Sequence, residues 1–370
     1  MKRKRVCFIG DTPLQIMNCI NLACNEFASD EYLKDIYIGH NFENAENVSY
    51  GIQKSGIFHN VYNFIPFNNI KDSVILRIIS LLFPKLLFYK YNLDDSYKFE
   101  KYNIVLISIF SYFSRSAILA MRDSVFYMYE DGIGSYIGTT IDYDKWPLCV
   151  KILNATLFQK RLSIDFPIIY LNRAQLYYGN SIGIQMNKID AHNKAMSYFN
   201  DVFKYEKNSL YQRRKIVYLT QPLYEMKENG LYDIERRILD FLEGNYNRNY
   251  IVRIHPRQRG TFFETYFSDN FRNLWELECI NQITEDSILL NYYSTAAFEP
   301  AFLCDKKPYI FFLYRIFDIN IDENINANME KMIECLKEMY GKQKYKIRVS
   351  RNMKEFFNDI TDVCNTYIGH

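Results

Sequence analysis

The run Ile104-Val105-Leu106-Ile107-Ser108-Ile109 is almost wholly aliphatic. A strand with one wet face alternates apolar and polar residues, so such a run marks a strand covered on both faces. Strands of that kind belong to parallel sheets packed between layers of helix. The N-terminal half supplies the other parts. Val6 to Gly10, Asp35 to Gly39, His59 to Phe64 and Val125 to Tyr129 read as strands. Pro13 to Phe27, Ala45 to Ser55 and Ser114 to Met121 read as helices. The first has Thr12 as N-cap, Pro13 at its first position, and Ile16, Cys19, Ile20 and Ala23 on one face. This alternation predicts a doubly wound α/β sheet.

The pattern stops and then restarts. Ile141 to Tyr205 is less regular, with a strand fragment at Ile168 to Leu171 and a polar helical stretch from Asp190 to Tyr205. Glu206-Lys207-Asn208-Ser209 reads as a linker. Strands follow at Lys215 to Thr220, Tyr250 to Ile254, Ser287 to Asn291 and Pro308 to Phe312, with helices at Asp233 to Leu242, Thr295 to Phe302 and Asn328 to Met339. The 370 residues are long for one core and sufficient for two. The expected architecture is two Rossmann-like domains, 1–208 and 209–370, with a ligand cleft between them.

Composition removes several classes. Charged residues are 24% of the chain and the net charge is +2, which gives no bulk nucleic-acid binder. The basic start, Met1 to Arg5, leads into an apolar piece too short for a signal-peptide core. Eight cysteines without a CxxC pair point to reduced, buried thiols in a cytosolic protein. Ser73 to Phe88 is the most apolar segment, yet it holds Arg77 and Pro84 and falls short of a spanning helix. It reads as a core helix or as a helix lying on a membrane face.

Chemistry-bearing residues collect at strand ends. Glu130-Asp131-Gly132 follows the strand Val125 to Tyr129, with Gly134 close behind. Adjacent carboxylates repel, which makes one of them the stronger base, and glycine lets the backbone approach a ligand. His255-Pro256 ends the strand from Tyr250, with Arg253, Arg257 and Arg259 nearby. Such a cluster suits a phosphate, and imidazole can donate a proton to it. Ser294-Thr295 opens a helix after a strand, which is either a plain N-cap or a phosphate site. Thr12-Pro13-Leu14-Gln15 occupies the first strand-to-helix turn, and Thr220-Gln221-Pro222 mirrors it in the second half. Either turn caps a helix or lines the cleft. Asp142-Tyr143-Asp144 fits a DxD pattern but reads as solvated acids, and His40, His59, His192 and His370 lack metal-ligand spacing. No metal or cofactor is expected.

These motifs, in this order, resemble those of bacterial sialyltransferases. The chain resembles glycosyltransferase family 52, which includes lipooligosaccharide and capsule sialyltransferases. The family's T-P-x-Q turn matches Thr12-Pro13-Leu14-Gln15, its acidic-acidic-Gly motif Glu130-Asp131-Gly132, its His-Pro motif His255-Pro256, and its hydroxyl pair Ser294-Thr295. The resemblance implies a GT-B-type fold, CMP-sialic acid (CMP-Neu5Ac) as donor, a galactose-containing glycan as acceptor, and inversion at the anomeric carbon. It implies an acceptor side and catalytic base in 1–208 and donor binding in 209–370. The acid of the acidic motif would deprotonate the acceptor. Glu130 is favoured, because Asp131 suits the cap of the following turn. His255 would contact and protonate the CMP phosphate, and Ser294 and Thr295 would hold it. Arg253 matches a basic residue before the histidine, and Glu278 or Glu276 an acid that reads ribose or cytosine.

The residues agree with that chemistry. A CMP-sugar releases a monophosphate ester, so arginines, a histidine and a helix start can supply the positive field without a chelated metal. The expected location is cytoplasmic, with peripheral contact at the inner membrane face left open, as is a homodimer. The alternatives are a GT-B enzyme using another CMP-nonulosonic acid or a CDP-polyol, and an inactive glycan- or nucleotide-binding protein.

Overall fold

A computed structural model describes residues 3–65, 73–94, 97–108, 112–130, 166–169, 184–190, 192–221, 231–247, 249–256, 258, 262–270, 273–292, 294–316 and 323–367. Asp131, Gly132, Gly134, the Asp142-Tyr143-Asp144 pattern, Pro222, Arg257, Arg259 and His370 lie outside the described residues. The chain divides into two compact units, Met1–Tyr205 and Glu206–His370.

The first unit is built on β1 (Lys4–Gly10), β2 (Tyr32–Gly39), β3 (Asn60–Phe64), β4 (Ile104–Ile107), β5 (Val125–Tyr129), β6 (Phe166–Ile169) and β7 (Ile184–Gln185). They form one parallel sheet in the order β3-β2-β1-β4-β5-β6-β7. Its helices are α1 (Pro13–Cys24), α2 (Ala45–Ser55), α3 (Val74–Leu82), α4 (Pro84–Tyr91), α5 (Tyr112–Ala120) and α6 (Met196–Val202).

The second unit holds α7 (Leu210–Arg213), β8 (Ile216–Leu219), α8 (Leu231–Tyr246), β9 (Tyr250–Arg253), α9 (Trp275–Asn281), β10 (Ile288–Asn291), α10 (Glu299–Cys304), β11 (Tyr309–Phe312), α11 (Glu323–Tyr340), β12 (Ile347–Val349) and α12 (Met353–Tyr367). Its sheet is also parallel, in the order β12-β11-β10-β8-β9. Strands β8, β10 and β11 are buried at every residue, as their apolar sequences require, and Asn291, the one polar residue among them, ends β10.

Three expected helices are shorter or different, each for a local reason. The first ends at Cys24, where the Asn21 carbonyl accepts both the backbone N–H and the side-chain amide of Asn25 and the Phe27 N–H turns back to the Leu22 carbonyl at 2.9 Å. Among the described residues of the stretch from Asp190, only α6 is helical. Asp190 accepts the His192 N–H and Asn193 accepts the Ala195 N–H, both at 2.8 Å, so turns replace the first helical bonds. After β10 a 3-10 turn, Thr295–Phe298, precedes α10, where Pro300 has no N–H to extend an α-helix backwards.

The abundant aromatic residues build the first core. Tyr37 on β2 stacks on Phe64 with centroids 5.3 Å apart, and Phe88 and Phe113 pack around them. The Tyr37 hydroxyl meets that of Tyr102, which donates to Asp35. Arg5 closes this network at 2.6 Å from the fully buried Asp35. The apolar segment forms two helices that break at Phe83. Leu76 and Ile79 pack on the core while Leu87 and Phe88 are buried in it. Among the described residues no helix is long and apolar enough to cross a membrane.

Candidate active site

In a doubly wound sheet, ligands gather at the carboxyl ends of the strands, where the strand order reverses. In the first unit that point lies between β1 and β4, and in the second between β8 and β10.

At the first switch point, the turn after β1 folds as a variant of a capping box. Thr12 caps α1 by accepting the Gln15 N–H at 3.3 Å, and Gln15 reaches back to accept the Asp11 N–H at 2.7 Å. The amide nitrogen of Gln15 and the hydroxyl of Ser108, just past β4, are buried without hydrogen-bond partners. Asp11 is 6% exposed. A Cβ on Gly39, at the end of β2, would lie 2.5 Å from its Oδ1, so glycine makes room for this carboxylate. Sequence reading passed over Asp11, although its place as the first polar residue after β1 was a signal.

Glu130 follows β5 and is 2% exposed. Its carbonyl accepts from Asn18 Nδ2 on α1 at 2.8 Å. The preceding Tyr129 donates to the Ile9 carbonyl at 2.5 Å, and Cys19 on α1 donates to the Tyr129 hydroxyl at 3.4 Å. The end of β5 is thus fixed to both α1 and β1. Burial pushes the Cys19 thiol up to about 12, which suits a strut and not a nucleophile. Thr12, Gln15 and Glu130 therefore share one edge of the first unit.

In the second unit, three adjacent strands end in His255, Thr220 with Gln221, and Ser294. The Thr220 N–H donates to the Arg253 carbonyl at 3.1 Å, and the Thr220 hydroxyl accepts the His255 N–H at 2.8 Å. The Gln258 N–H closes a turn onto the His255 carbonyl at 2.8 Å. The histidine backbone is held from both sides while its ring is partly exposed and Pro256 is exposed. Gln221 is half-buried, and its carbonyl oxygen is buried without a hydrogen-bond partner. Ser294 receives its position from Asn291, which accepts its N–H at 2.9 Å, and its own hydroxyl caps Ala296 at 3.3 Å. Thr295 beside it is exposed.

The other two expected contacts lie deeper. Arg253 pairs with Asp269 and donates to the Asn273 carbonyl, and the Tyr211 hydroxyl donates to the same Asp269 at 2.6 Å. Burial opposes the charge on Arg253, but Tyr211 and Asp269 outweigh it and hold the guanidinium above its ordinary pKa. Glu278 is fully buried. One oxygen accepts from Asn273 at 2.8 Å and the other from Gln282. Asn273 in turn grips the Glu206 backbone through two bonds of 2.9 Å. Among the described residues no group of three His, Cys, Asp or Glu side chains is placed to hold a metal.

No family model matches the sequence, and no curated protein matches it. Solved structures do match over nearly the whole chain. One described as a UDP-N-acetylglucosamine 2-epimerase from Listeria monocytogenes has a TM-score of 0.55 and 8% identity, covering 98% of this chain and 88% of that one. The spinosyn rhamnosyltransferase SpnG has a TM-score of 0.51 and 10% identity, covering 100% and 92%. A sialyltransferase from Photobacterium damsela has a TM-score of 0.50 and 12% identity, covering 94% and 81%. At these identities the likeness shows the fold alone and leaves membership of family 52 unshown. That fold is the GT-B type, two parallel-sheet α/β domains, found in both glycosyltransferases and nucleotide-sugar epimerases.

Proposed function

We propose that this chain is an inverting, metal-independent sialyltransferase. It moves sialic acid from CMP-Neu5Ac to a terminal galactose-type hydroxyl of a surface glycan, lipooligosaccharide or capsule, in the cytoplasm. The observation that carries this reading is the row of strand ends in the second unit. A partly exposed histidine, a threonine–glutamine turn and a capping serine follow neighbouring strands, at and beside the reversal of strand order. That set suits a single phosphate, and a CMP-sugar presents one.

In the proposed reaction Glu130 takes the proton of the acceptor hydroxyl, with Asp131 capping the turn after it. The hydroxyl oxygen bonds to the anomeric carbon as the bond from that carbon to the phosphate oxygen breaks. His255 gives its proton to the departing CMP phosphate, and Ser294, Thr295 and Gln221 hold that phosphate and its nucleoside. Arg253 and Glu278 act through their partners Asp269 and Asn273. Thr12, Gln15 and Gly132 shape the acceptor side. A buried carboxylate at a strand end also has few water molecules competing for its proton-accepting oxygens.

A donor panel tests the reading. CMP-Neu5Ac, a second CMP-nonulosonic acid, CDP-glycerol and UDP-N-acetylglucosamine are each offered with a galactoside, and products are read by mass spectrometry. The sialylated galactoside with release of CMP is expected. Turnover of CDP-glycerol or the UDP-sugar instead would reassign the donor, and tight CMP binding without any turnover would make the protein a nucleotide binder.

A further inference from the structure

We propose that the outer face of α3 and α4 docks on an anionic lipid surface. A helix on a soluble surface normally turns polar residues outward. Here the outward positions Ile75, Ile78 and Leu82 follow each other at spacings of three and four, which makes one stripe along α3. Phe83, Leu86 and Tyr89 continue it at the break and along α4. Ile75, Phe83, Leu86 and Tyr89 are each more than half exposed. The core does not need them, because Leu76, Ile79, Leu87 and Phe88 fill the inward face. Other exposed large apolar residues, such as Tyr50, Phe267 and Tyr345, are scattered over the rest of the described chain.

Charge names the occupant. Ser73 to Leu93 contains Arg77, Lys85 and Lys90 and no acidic residue. Lys85 and Lys90 are exposed among the apolar side chains. Apolar residues that enter the acyl boundary, flanked by cations at headgroup level, match an anionic bilayer. A two-fold contact with a second copy would set this patch against itself and bring its lysines together. The patch also adjoins the ligand edge of its own unit. The Ile65 N–H donates to the Tyr91 carbonyl and the Leu93 N–H to the Asn63 carbonyl, both at 2.8 Å, so α4 returns to the carboxyl end of β3. Docking there would hold that edge close to glycans carried on membrane lipid. The inference stands on this face alone and does not depend on the sugar donor.

The test is co-sedimentation of the full chain with vesicles of phosphatidylcholine, alone or mixed equally with phosphatidylglycerol. Wild-type protein should sediment with the mixed vesicles and much less with the neutral ones. Phe83→Ser with Leu86→Ser should lower partitioning about 10–100-fold, since two large apolar side chains no longer leave water. Lys85→Gln with Lys90→Gln should lower it about fivefold per lysine on mixed vesicles only. These positions are exposed, so the melting temperatures should stay near wild type. Failure of the wild type to bind either vesicle, or equal binding by all variants, overturns the proposal. A wild-type dimer in sedimentation velocity that Phe83→Ser with Leu86→Ser converts to monomer, without vesicle binding, would assign the face to self-association instead.

Discussion

Glu235 on α8 should make the second unit lose stability as the pH rises. The side chain is 1% exposed, and one oxygen accepts from the Tyr218 hydroxyl on β8 at 2.9 Å. The other oxygen is buried with no hydrogen-bond partner. Burial raises the carboxyl from its ordinary 4.5 to about 8, with the Tyr218 hydroxyl opposing. The folded unit therefore keeps a proton that the unfolded chain has already released. The stabilisation is fully present below 4.5 and is lost as the pH climbs through about 8. At ~1.4 kcal/mol per pH unit the loss approaches roughly 5 kcal/mol. Relaxation and entering water reduce it, so roughly 2–5 kcal/mol is expected. Glu235→Gln keeps an acceptor for Tyr218 and cannot ionise, so its slope should vanish. The variant should then be the more stable protein at the alkaline end. Urea unfolding followed by hydrogen exchange of the β8 peptide, from about pH 5 to about pH 8, isolates this unit. A flat wild-type profile, or the same slope in Glu235→Gln, would refute the reasoning. The effect bears on function because β8 leads directly into Thr220, which holds His255.

Other expectations concern the site directly. His255→Ala should lower transfer several hundredfold or more, as positioned proton transfer alone contributes about 10²–10⁴; steady-state rates near wild type would remove it from the mechanism. Thr220→Val leaves the imidazole in place but removes the hydroxyl that accepts the His255 N–H, and should lower turnover about 10–100-fold with little change in CMP affinity. Glu130→Gln should bind CMP and fail to transfer, whereas Asp131→Ala should lose about 1 kcal/mol of stability as a lost cap; rates and melting temperatures that show the opposite pattern would reverse the two roles. Transfer should survive excess EDTA, and activity lost to chelation and restored by Mg²⁺ or Mn²⁺ would point instead to Asp142 and Asp144.

Much of the fold was legible because burial on both faces writes itself into sequence. Ile104–Ile107 is apolar and buried from Val105 onward, Val125–Tyr129 is buried at its carboxyl end, and each strand stops where a polar residue arrives. Helix Ala45–Ser55 was legible at both ends, since Gly56 takes the left-handed φ of 69° that closes it. What sequence hides is partnership. Arg253 and Glu278 stand in the sequence as bare charges, and only the structure shows that Asp269, Asn273 and Gln282 hold them. Asp190 and Asn193 sit in a polar stretch of helical appearance, and only their captured amides show why the helix starts later. The outer face of α3 was ambiguous for a related reason. Both of its sides are apolar, and periodicity cannot say which one the core takes.

The proposed transfer from a CMP-sugar is metal-free and inverts the anomeric centre. One reaction tests it most directly: the chain, CMP-Neu5Ac and a galactoside in excess EDTA, followed by proton NMR. The expected product is a sialylated galactoside whose anomeric configuration is opposite to that of the donor, with one CMP released per product. A product that retains the donor's configuration, or CMP released with free sialic acid and no sialoside, would contradict it.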